Sequence, residues 1–331
     1  MRRIAVVSVG RSDRGHLTSV YEALRPHVFW SATYTHPKGD AGPREIGRCM
    51  TAALDYYSAE WDATRPDLIL LFGDRYEQFA AATAALPFAI PLAHLHGGET
   101  TTGAFDNQIR HALTKLSHLH LVSHRRHADV IAGMGEEPWR IHVTGAPGLD
   151  RLVGYETCDE EGPVILLTLH PCTLEYEQTA EVADAVVNAV RGHGPVVWTL
   201  PNADTHGAVI RERFTAAFGE PTETDDAGYL SIMCHADVMI GNSSSGIIEA
   251  PSFKLPVVNI GNRQAGRLRG DNVIDVPAER HAIAHGIRRA LDPLFRAGLS
   301  GANPYGDGQS GPRIARILRS IPLDRRLLEK P

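Results

Sequence analysis

Short, continuous runs of apolar residues recur along the first half of the chain, at intervals that leave room for a helix between them. Stretches rich in alanine and leucine, at residues 52–64 and 79–85, are predicted to be helices. Apolar runs without alternation are typical of strands buried on both faces of a parallel sheet, which indicates a doubly wound α/β unit. The predicted strands are residues 4–9, 68–72, 92–95, 119–122 and 141–143.

A second series of the same kind follows a polar, acidic stretch at residues 149–162, which we interpret as a linker. Its helices are predicted at residues 177–190 and 281–290. The basic tail from residue 312 onward carries apolar residues at helical spacing, and we expect it to pack back onto the protein as a helix. The predicted strands of this series are residues 164–169, 196–200, 238–240, 257–260 and 273–276.

The chain has 331 residues, which is too long for one ordinary core and predicts two domains. We expect one domain to comprise residues 1–155 with a C-terminal helix at 308–331, and the other to comprise residues 156–307. Each is predicted to be a Rossmann-like, doubly wound parallel sheet. Because ligands bind at the carboxyl ends of parallel strands, functional residues should follow the strands and face a cleft between the domains.

Composition and charge exclude several classes of function. The net charge of −6 gives no basic footprint for nucleic acid. No segment approaches the length of a membrane span, and the N-terminal apolar run is too short for a secretory signal, so we predict a cytoplasmic protein with no membrane association. The four cysteines lack metal-binding spacing, and the histidines between residues 94 and 127, although dense, form no defensible ligand set. We therefore expect no metal.

The most informative local pattern is the glycine- and serine-rich stretch 241–251, which follows an apolar run at 237–240. A strand that feeds such a turn and then a helix directs backbone N–H groups and the hydroxyls of Ser243, Ser244 and Ser245 at one spot, which suits a phosphate or pyrophosphate. Glu249 would then bind ribose hydroxyls beyond the phosphates. The alternative is an ordinary strand-to-helix turn in which a serine caps the helix.

Charged residues also follow the strands of the first half. Arg11 lies in a glycine-containing turn after the first strand and is a candidate phosphate ligand. Asp74 follows the second predicted strand, with helix capping as the alternative role, while Glu99 and Asp106 bracket a loop after the third. We expect these three carboxylates to converge on one wall of the cleft, with pKa values raised by crowding and burial, as general acids and bases require.

Further polar residues follow strands in the second half. His170 and Asn202 end two of them, and Arg263 and Arg267 follow the strand at 257–260. Each is an ordinary turn residue when taken singly. Together with the serine-rich turn, they supply several donors from one domain to a pyrophosphate.

In combination these motifs resemble those of the UDP-N-acetylglucosamine 2-epimerases, and within them the hydrolysing branch of sialic-acid-type pathways. The resemblance is carried by residues 73–77, 94–99, 103–111 with 115–118, 201–204, 241–251 and 258–264, which span nearly the whole chain in order. It implies a GT-B fold, meaning two Rossmann-like domains with UDP held mainly by the second. It also implies a UDP-sugar substrate, no cofactor or metal, and a homodimer or homotetramer.

The resemblance also assigns roles to residues. Asp74, Glu99 and Asp106 would perform the chemistry, and the serines 243–245 would lie near the pyrophosphate. Glu249 would contact the ribose, and His170 and Arg11 would assist at the phosphates. The reaction implied is abstraction of the C2 proton with loss of UDP, which gives a 2-acetamidoglucal, followed by return of a proton to the opposite face of C2.

The sequence leaves the outcome of the reaction and the class of protein open. Addition of water at C1 would release N-acetylmannosamine, whereas addition of UDP would retain it as UDP-N-acetylmannosamine. The turn at residues 11–13 and the sequence at 96–99 favour the hydrolysing branch, but His206 replaces the usual small residues after 201–204, so a diacetamido-dideoxy sugar is a possible substrate. A GT-B glycosyltransferase and a non-catalytic nucleotide-sugar-binding protein would also carry a nucleotide-binding turn of this kind.

Overall fold

The protein contains two separate sheets, both entirely parallel. The computed structural model describes residues 2–9, 11–25, 28–33, 42–101, 105–155, 164–172, 174–201 and 206–330, and of residues 11, 12 and 28–33 it describes the backbone alone. Within the described part, no helix is long and apolar enough to cross a membrane.

The first sheet has six strands in the order β2-β1-β3-β4-β5-β6. The sequence predicted five of them to within a residue, and the apolar runs of four of these are buried; Ile4, Ala5, Val6 and Val7, for example, are fully inaccessible. It missed the edge strand β2, whose run mixes serine and threonine with apolar residues. The strands are β1 (Arg3–Ser8), β2 (Val28–Thr33), β3 (Leu68–Phe72), β4 (Leu92–Leu95), β5 (Leu119–Val122) and β6 (Ile141–Val143).

Five helices connect the strands of the first sheet. They are α1 (Arg11–Leu24), α2 (Pro43–Thr64), α3 (Tyr76–Ala85), α4 (Asp106–Leu116) and α5 (Arg125–Gly133). Helix α2 begins nine residues before the predicted helix at 52–64, since Pro43 supplies a favourable first turn. Its residues Tyr57 and Trp61 pack beneath the sheet with the alanines of α3.

The second sheet has five strands in the order β11-β10-β9-β7-β8, and all five coincide with predicted runs to within two residues. The strands are β7 (Ile165–Thr168), β8 (Val196–Trp198), β9 (Val238–Gly241), β10 (Val257–Ile260) and β11 (Val273–Val276). The helices are α6 (Thr179–Val190), α7 (Gly207–Phe218), α8 (Asp226–His235), α9 (Ser245–Ile248), α10 (Arg280–Ala290) and α11 (Pro293–Ala297). A central core joins this sheet to α6, α7 and α10.

The C-terminal segment returns to the first sheet through α12 (Ser310–Ser320) and α13 (Arg325–Leu328). Ile314, Ala315 and Leu318 of α12 are fully buried against β1 and α1. Arg140, also fully buried, donates to the carbonyl oxygens of residues 326, 327 and 329 at 2.9, 2.7 and 2.6 Å. The tail is therefore fixed by apolar packing and by charge-assisted hydrogen bonds.

Candidate active site

Polar residues follow three neighbouring strands of the first sheet. Asp74 lies two residues after β3, His96 directly after β4, and Ser123 directly after β5. Since β3, β4 and β5 are adjacent and parallel, these residues share the carboxyl edge of the sheet. This is the edge at which the sequence placed the catalytic carboxylates.

Arg110 of α4 joins the loops that carry Asp74 and Glu99. Its guanidinium forms an ion pair with the Asp74 carboxylate, and its Nη1 donates to Glu99 O at 2.8 Å and to Thr101 Oγ1 at 3.0 Å. Asp74 therefore does not cap α3, which begins at Tyr76 without a side-chain cap. Arg110 is 1% exposed, so its contacts with Asp74 and Glu99 are shielded from solvent.

Glu99 is a buried carboxylate with three polar partners. Its Oε1 accepts from His96 Nδ1 at 2.6 Å and from Ser123 Oγ at 3.1 Å, while Arg267 Nη1 lies 3.4 Å from Oε2. Burial raises the pKa of Glu99, but the charges of His96 and Arg267 and the hydrogen bond from His96 outweigh it and hold the pKa well below its usual range. The sequence-based prediction of a raised pKa is wrong for this carboxylate. Glu99 is therefore held in its ionised form, the form in which a carboxyl group can accept a proton.

Asp106 occupies the first position of α4. It precedes Arg110 by four residues, so the two lie on one face of the helix. The helix thus connects the three predicted carboxylates: it begins at Asp106, and its Arg110 contacts the Asp74 side chain and the Glu99 backbone.

The serine-rich turn follows β9 in the second domain, as predicted. Ser243 Oγ lies 2.9 Å from Ser245 Oγ, which lies 2.7 Å from the hydroxyl of Tyr229. Helix α9, which follows, has only four residues, and its N-cap residue Ser244 makes no side-chain cap. The turn therefore offers hydroxyls and backbone N–H groups, but a weaker helix dipole than the sequence indicated.

Asn242 fixes the strand ends of the second sheet to one another. Its side chain accepts from His170 N at 2.7 Å and donates to His170 O at 2.8 Å, and its own carbonyl oxygen accepts from Arg263 Nη1 at 3.0 Å. The preceding Gly241 has a φ of 138°, and a Cβ there would collide with Thr168 O. His170 and Arg263 are therefore brought together, as predicted, beside the serine-rich turn. Burial, with a smaller effect of Arg263, holds the pKa of His170 well below its usual range.

A pocket lies at this junction, where β7 and β10 end. It is lined by Leu169, His170, Cys172, Val182, Ile260 and Arg263, among others. Its lining combines apolar and polar side chains, as small-molecule pockets do.

Glu249, on the second domain, faces residues that precede the linker. Its Oε1 lies 3.5 Å from His16 Nδ1 and 3.7 Å from Arg151 Nη2. Burial raises the pKa of Glu249 to about 7, although Arg151 lowers it. Burial, assisted by Arg151, lowers the pKa of His16 to about 3, so this histidine is neutral.

Arg267 links the two halves of the site directly. Its loop, which follows β10, brings the guanidinium to Glu99 of the first domain. The preceding Gly266 has a φ of 86°, and a Cβ there would press on Thr100. Arg267 was predicted as a pyrophosphate ligand, and in the structure it contacts Glu99, one of the three predicted catalytic carboxylates.

Two predicted ligands cannot be placed. Asn202 lies outside the described residues, and of Arg11 the structure describes only the backbone, at the first position of α1. Among the described residues, no group of three histidine, cysteine or acidic side chains could hold a metal ion.

The comparison with protein families matches the model described as UDP-N-acetylglucosamine 2-epimerase to residues 34–319. The chain belongs to this family. Two curated relatives share substantial identity with it. One, from Legionella pneumophila, is UDP-N,N'-diacetylbacillosamine 2-epimerase (hydrolyzing), 38% identical over 83% of this chain and 76% of its own. The other, GDP/UDP-N,N'-diacetylbacillosamine 2-epimerase (hydrolyzing) from Campylobacter jejuni, is 35% identical over 71% of this chain and 67% of its own.

Solved structures of epimerases share the fold. The UDP-GlcNAc 2-epimerase from Neisseria meningitidis, bound to UDP-GlcNAc, superposes with a TM-score of 0.83 over 96% of this chain and 100% of its own, at 16% identity. Two parallel α/β sheets in this arrangement constitute the GT-B fold, as predicted. The protein is a GT-B member of the epimerase family.

Sequence reasoning missed several residues of the epimerase site. Arg110 lies within a quoted motif, and its position four residues after Asp106 in the same helix was the available signal. Asn242 lies within the serine-rich turn, but nothing local distinguishes it from an ordinary turn asparagine. Ser123 was not singled out, because its contact with Glu99 depends on the adjacency of β4 and β5.

Proposed function

We propose that the protein is a hydrolysing UDP-sugar 2-epimerase, which eliminates UDP from a 2-acetamido sugar and adds water to the resulting glycal. The observation that carries this proposal is the buried, ionised Glu99, held beside the Asp74–Arg110 pair and contacted by Arg267 of the nucleotide-binding domain. The ionised form is the only form in which a carboxyl group can act as a base, and Glu99 is held in that form in the resting protein.

Glu99 is the base that removes the C2 proton. The proton that returns to the opposite face of C2 comes from a second acid, for which Asp74 and Asp106 are the candidates. As the C1–O bond breaks, negative charge develops on the departing UDP. The side chains of Arg263 and Arg267 and the donors of the serine-rich turn stabilise this charge, and their fixed positions support electrostatic preorganisation.

The second domain holds UDP. The pocket beside His170 accepts the base, the serines 243–245 bind the pyrophosphate, and Glu249 binds the ribose. Asn202 and Arg11 are further ligands in this proposal. We also propose that residues 1–155 with 308–331 form the catalytic domain and 156–307 the nucleotide domain. A homodimer or homotetramer, measurable by light scattering, is part of the same proposal.

The hydrolytic outcome is supported by the names of the two curated relatives, both described as hydrolyzing. It is also supported by the residues Gly97 and Gly98 before Glu99, which differ from the pattern of the retaining branch. The first candidate substrate is UDP-N-acetylglucosamine, which would yield N-acetylmannosamine. The second is UDP-N,N'-diacetylbacillosamine, favoured by the activity named for both relatives.

The test is to incubate the protein with each UDP-sugar separately and to identify the products by proton and phosphorus NMR. Free UDP and a free sugar inverted at C2 are expected. A 2-epimer that remains attached to UDP would replace the hydrolytic assignment with the retaining one. Transfer of the sugar only when an acceptor is added would indicate a glycosyltransferase, and binding of the UDP-sugar without any turnover would indicate a binding protein.

The matched control is the variant Glu220→Gln, which alters an exposed acid of the nucleotide domain that has no role in the proposed site. It should retain wild-type turnover, whereas Glu99→Gln should lose it. The ratio of turnover with the two UDP-sugars then identifies the substrate.

A further inference from the structure

A hydrogen-bonded chain leads from the Glu99 carboxylate to α5. Ser123 Oγ lies 3.1 Å from Glu99 Oε1 and 2.9 Å from His127 Nδ1. The three residues are buried, with exposed fractions of 1% for Glu99 and 4% for both Ser123 and His127. This series of hydrogen bonds runs from the end of β4 to the end of β5, toward the edge strand β6 and away from Asp74.

The proposed reaction leaves a proton to be removed. When one group acts on each face of C2, every turnover leaves the base with one proton too many and the acid with one too few. Glu99 must therefore lose its proton before it can act again, and its burial prevents direct exchange with solvent. We propose that Ser123 and His127 form a proton relay that carries the C2 proton away from Glu99 after each elimination. The inference rests on the proposed function.

The relay balances in protons and electrons. The C2–H bond breaks, its electron pair forms the C1–C2 double bond, and the C1–O bond to UDP breaks, so Glu99 gains one proton. Protonation of Glu99 reverses its hydrogen bond with Ser123: the carboxyl donates to Ser123 Oγ, and the Ser123 hydroxyl turns from Glu99 Oε1 to Nδ1 of neutral His127, which carries its proton on Nε2. Glu99 then passes its proton to Ser123 Oγ as the hydroxyl proton of Ser123 moves to His127 Nδ1. The imidazolium releases its Nε2 proton to water, and return of the ring proton from Nδ1 to Nε2, with the Ser123 hydroxyl turning back to Glu99, resets the relay. A hydroxyl suits the middle position because it donates and accepts at once.

The surroundings of His127 favour rapid release of the proton. Burial lowers the pKa of His127 to about 4; Glu99 raises it, whereas His96, His124 and Arg267 lower it further. A ring with this pKa does not retain a proton near neutral pH. The half-buried His124 lies beside it, with ring centroids 6.0 Å apart, and marks the direction of solvent.

The contact between the Glu99 loop and α5 is tightly fixed. Gly98 has a φ of 75°, and a Cβ at this position would collide with the carbonyl oxygen of His127. Glycine is therefore required for the loop to lie this close to the helix. The close approach sets the distances between Glu99, Ser123 and His127.

His96 is the other partner of Glu99 Oε1 but lies on the opposite side. Its ring packs edge-on against Phe72, the last residue of β3, with centroids 5.4 Å apart. This is the side of Asp74, which the sugar occupies in the proposed function. A bound substrate closes the route through His96 and leaves the route through Ser123 open.

Rapid-quench measurement of UDP release tests the relay. The first turnover needs only an ionised Glu99, whereas every later turnover also needs Glu99 to have lost the proton that it gained before. The relay variants are Ser123→Ala and His127→Gln. In both, ionised Glu99 still supports the first turnover, so we expect a burst of about one UDP per active site. The steady-state rate should then fall by about tenfold to a hundredfold, since the base is reset slowly.

Two further variants separate a relay from a structural role. Ser123→Thr keeps the hydroxyl and should restore most of the steady-state rate lost in Ser123→Ala. His142→Gln alters a histidine of β6 that takes no part in the hydrogen bonds from Glu99 to His127, and this variant should behave as wild type.

Any of four results would overturn the relay while leaving the proposed function intact. Two concern the relay variants: unchanged steady-state rates in both, or a first turnover slowed as much as the steady state. The other two are no recovery of rate in Ser123→Thr and an equal loss of rate in His142→Gln. A wild-type protein that releases no UDP from either UDP-sugar would overturn the proposed function, and the relay with it.

Discussion

Glu249 makes the stability of the ligand-free protein depend on pH. Burial raises its pKa from 4.5 to about 7, so the folded protein binds this proton more tightly than the unfolded chain does. The resulting contribution to the free energy of unfolding is fully present at pH values below the pKa of Glu249 in the unfolded chain. It is lost as the pH rises through the pKa of Glu249 in the folded protein. A shift of this size corresponds to about 3 kcal/mol.

The substitution Glu249→Gln removes this titration and retains the shape of the side chain. At about pH 4 the variant and the wild type should have similar free energies of unfolding, whereas at about pH 8 the variant should be more stable by up to about 3 kcal/mol. Urea denaturation followed by circular dichroism at both values of pH measures the difference. Glu220→Gln, at an exposed acid, is the control and should show no such change.

A difference between wild type and Glu249→Gln that stays constant across this pH range would refute the reasoning, as would a variant that is less stable at the higher pH. Either result would mean that Arg151 offsets the cost of burying the ionised Glu249 carboxylate fully.

Three further predictions concern the acids, the contact between the domains and the C-terminal tail. Asp74→Asn, Glu99→Gln and Asp106→Asn should each lower turnover by about a hundredfold or more, while calorimetry still detects UDP binding. Arg267→Met removes a charge that holds the pKa of Glu99 down, so the acidic limb of the pH–rate profile should move to higher pH. Arg140→Ala leaves three carbonyl oxygens of the tail, including that of buried Leu327, without their donor, and should lower the free energy of unfolding by about 3 kcal/mol in urea denaturation.

Each of these three predictions has an outcome that would contradict it. Wild-type turnover in all three acid variants would refute their catalytic roles. An unmoved or downward-shifted acidic limb in Arg267→Met would show that Arg267 does not act on Glu99. For Arg140, the control is Arg125→Ala, whose exposed pair with Asp129 should contribute less than about 1 kcal/mol. Equal losses in the two arginine variants would contradict the role of the buried tail contacts.

The sequence predicted most of the fold because most of its strands are buried on both faces. Continuous apolar runs mark such strands without reference to any partner, and ten of the eleven strands were located in this way. β2 was missed because its run, Val28–Thr33, mixes serine and threonine with apolar residues. Helix α9 proved shorter than expected because Pro251 disfavours helical geometry at the residue before it and removes a backbone donor.

The sequence predicted where the residues of the candidate site lie, but not the contacts that these residues make with one another. Asp74, Glu99, the serine-rich turn and His170 lie at strand ends, as the topology of a parallel sheet requires. The low pKa of Glu99 could not be predicted, because it depends on His96 in the same loop and on Arg267, which is 168 residues away along the chain. The Ser123–His127 pair likewise meets Glu99 only through the pairing of β4 with β5.

The central claim is that the reaction proceeds by removal of the C2 proton by Glu99 and return of a solvent proton to the other face. Turnover of the UDP-sugar in deuterium oxide, with the released sugar analysed by NMR and mass spectrometry, tests this most directly. The account predicts one deuterium at C2 of a product with inverted configuration, and loss of this product in Glu99→Gln. A released sugar that keeps its original C2 hydrogen would contradict it.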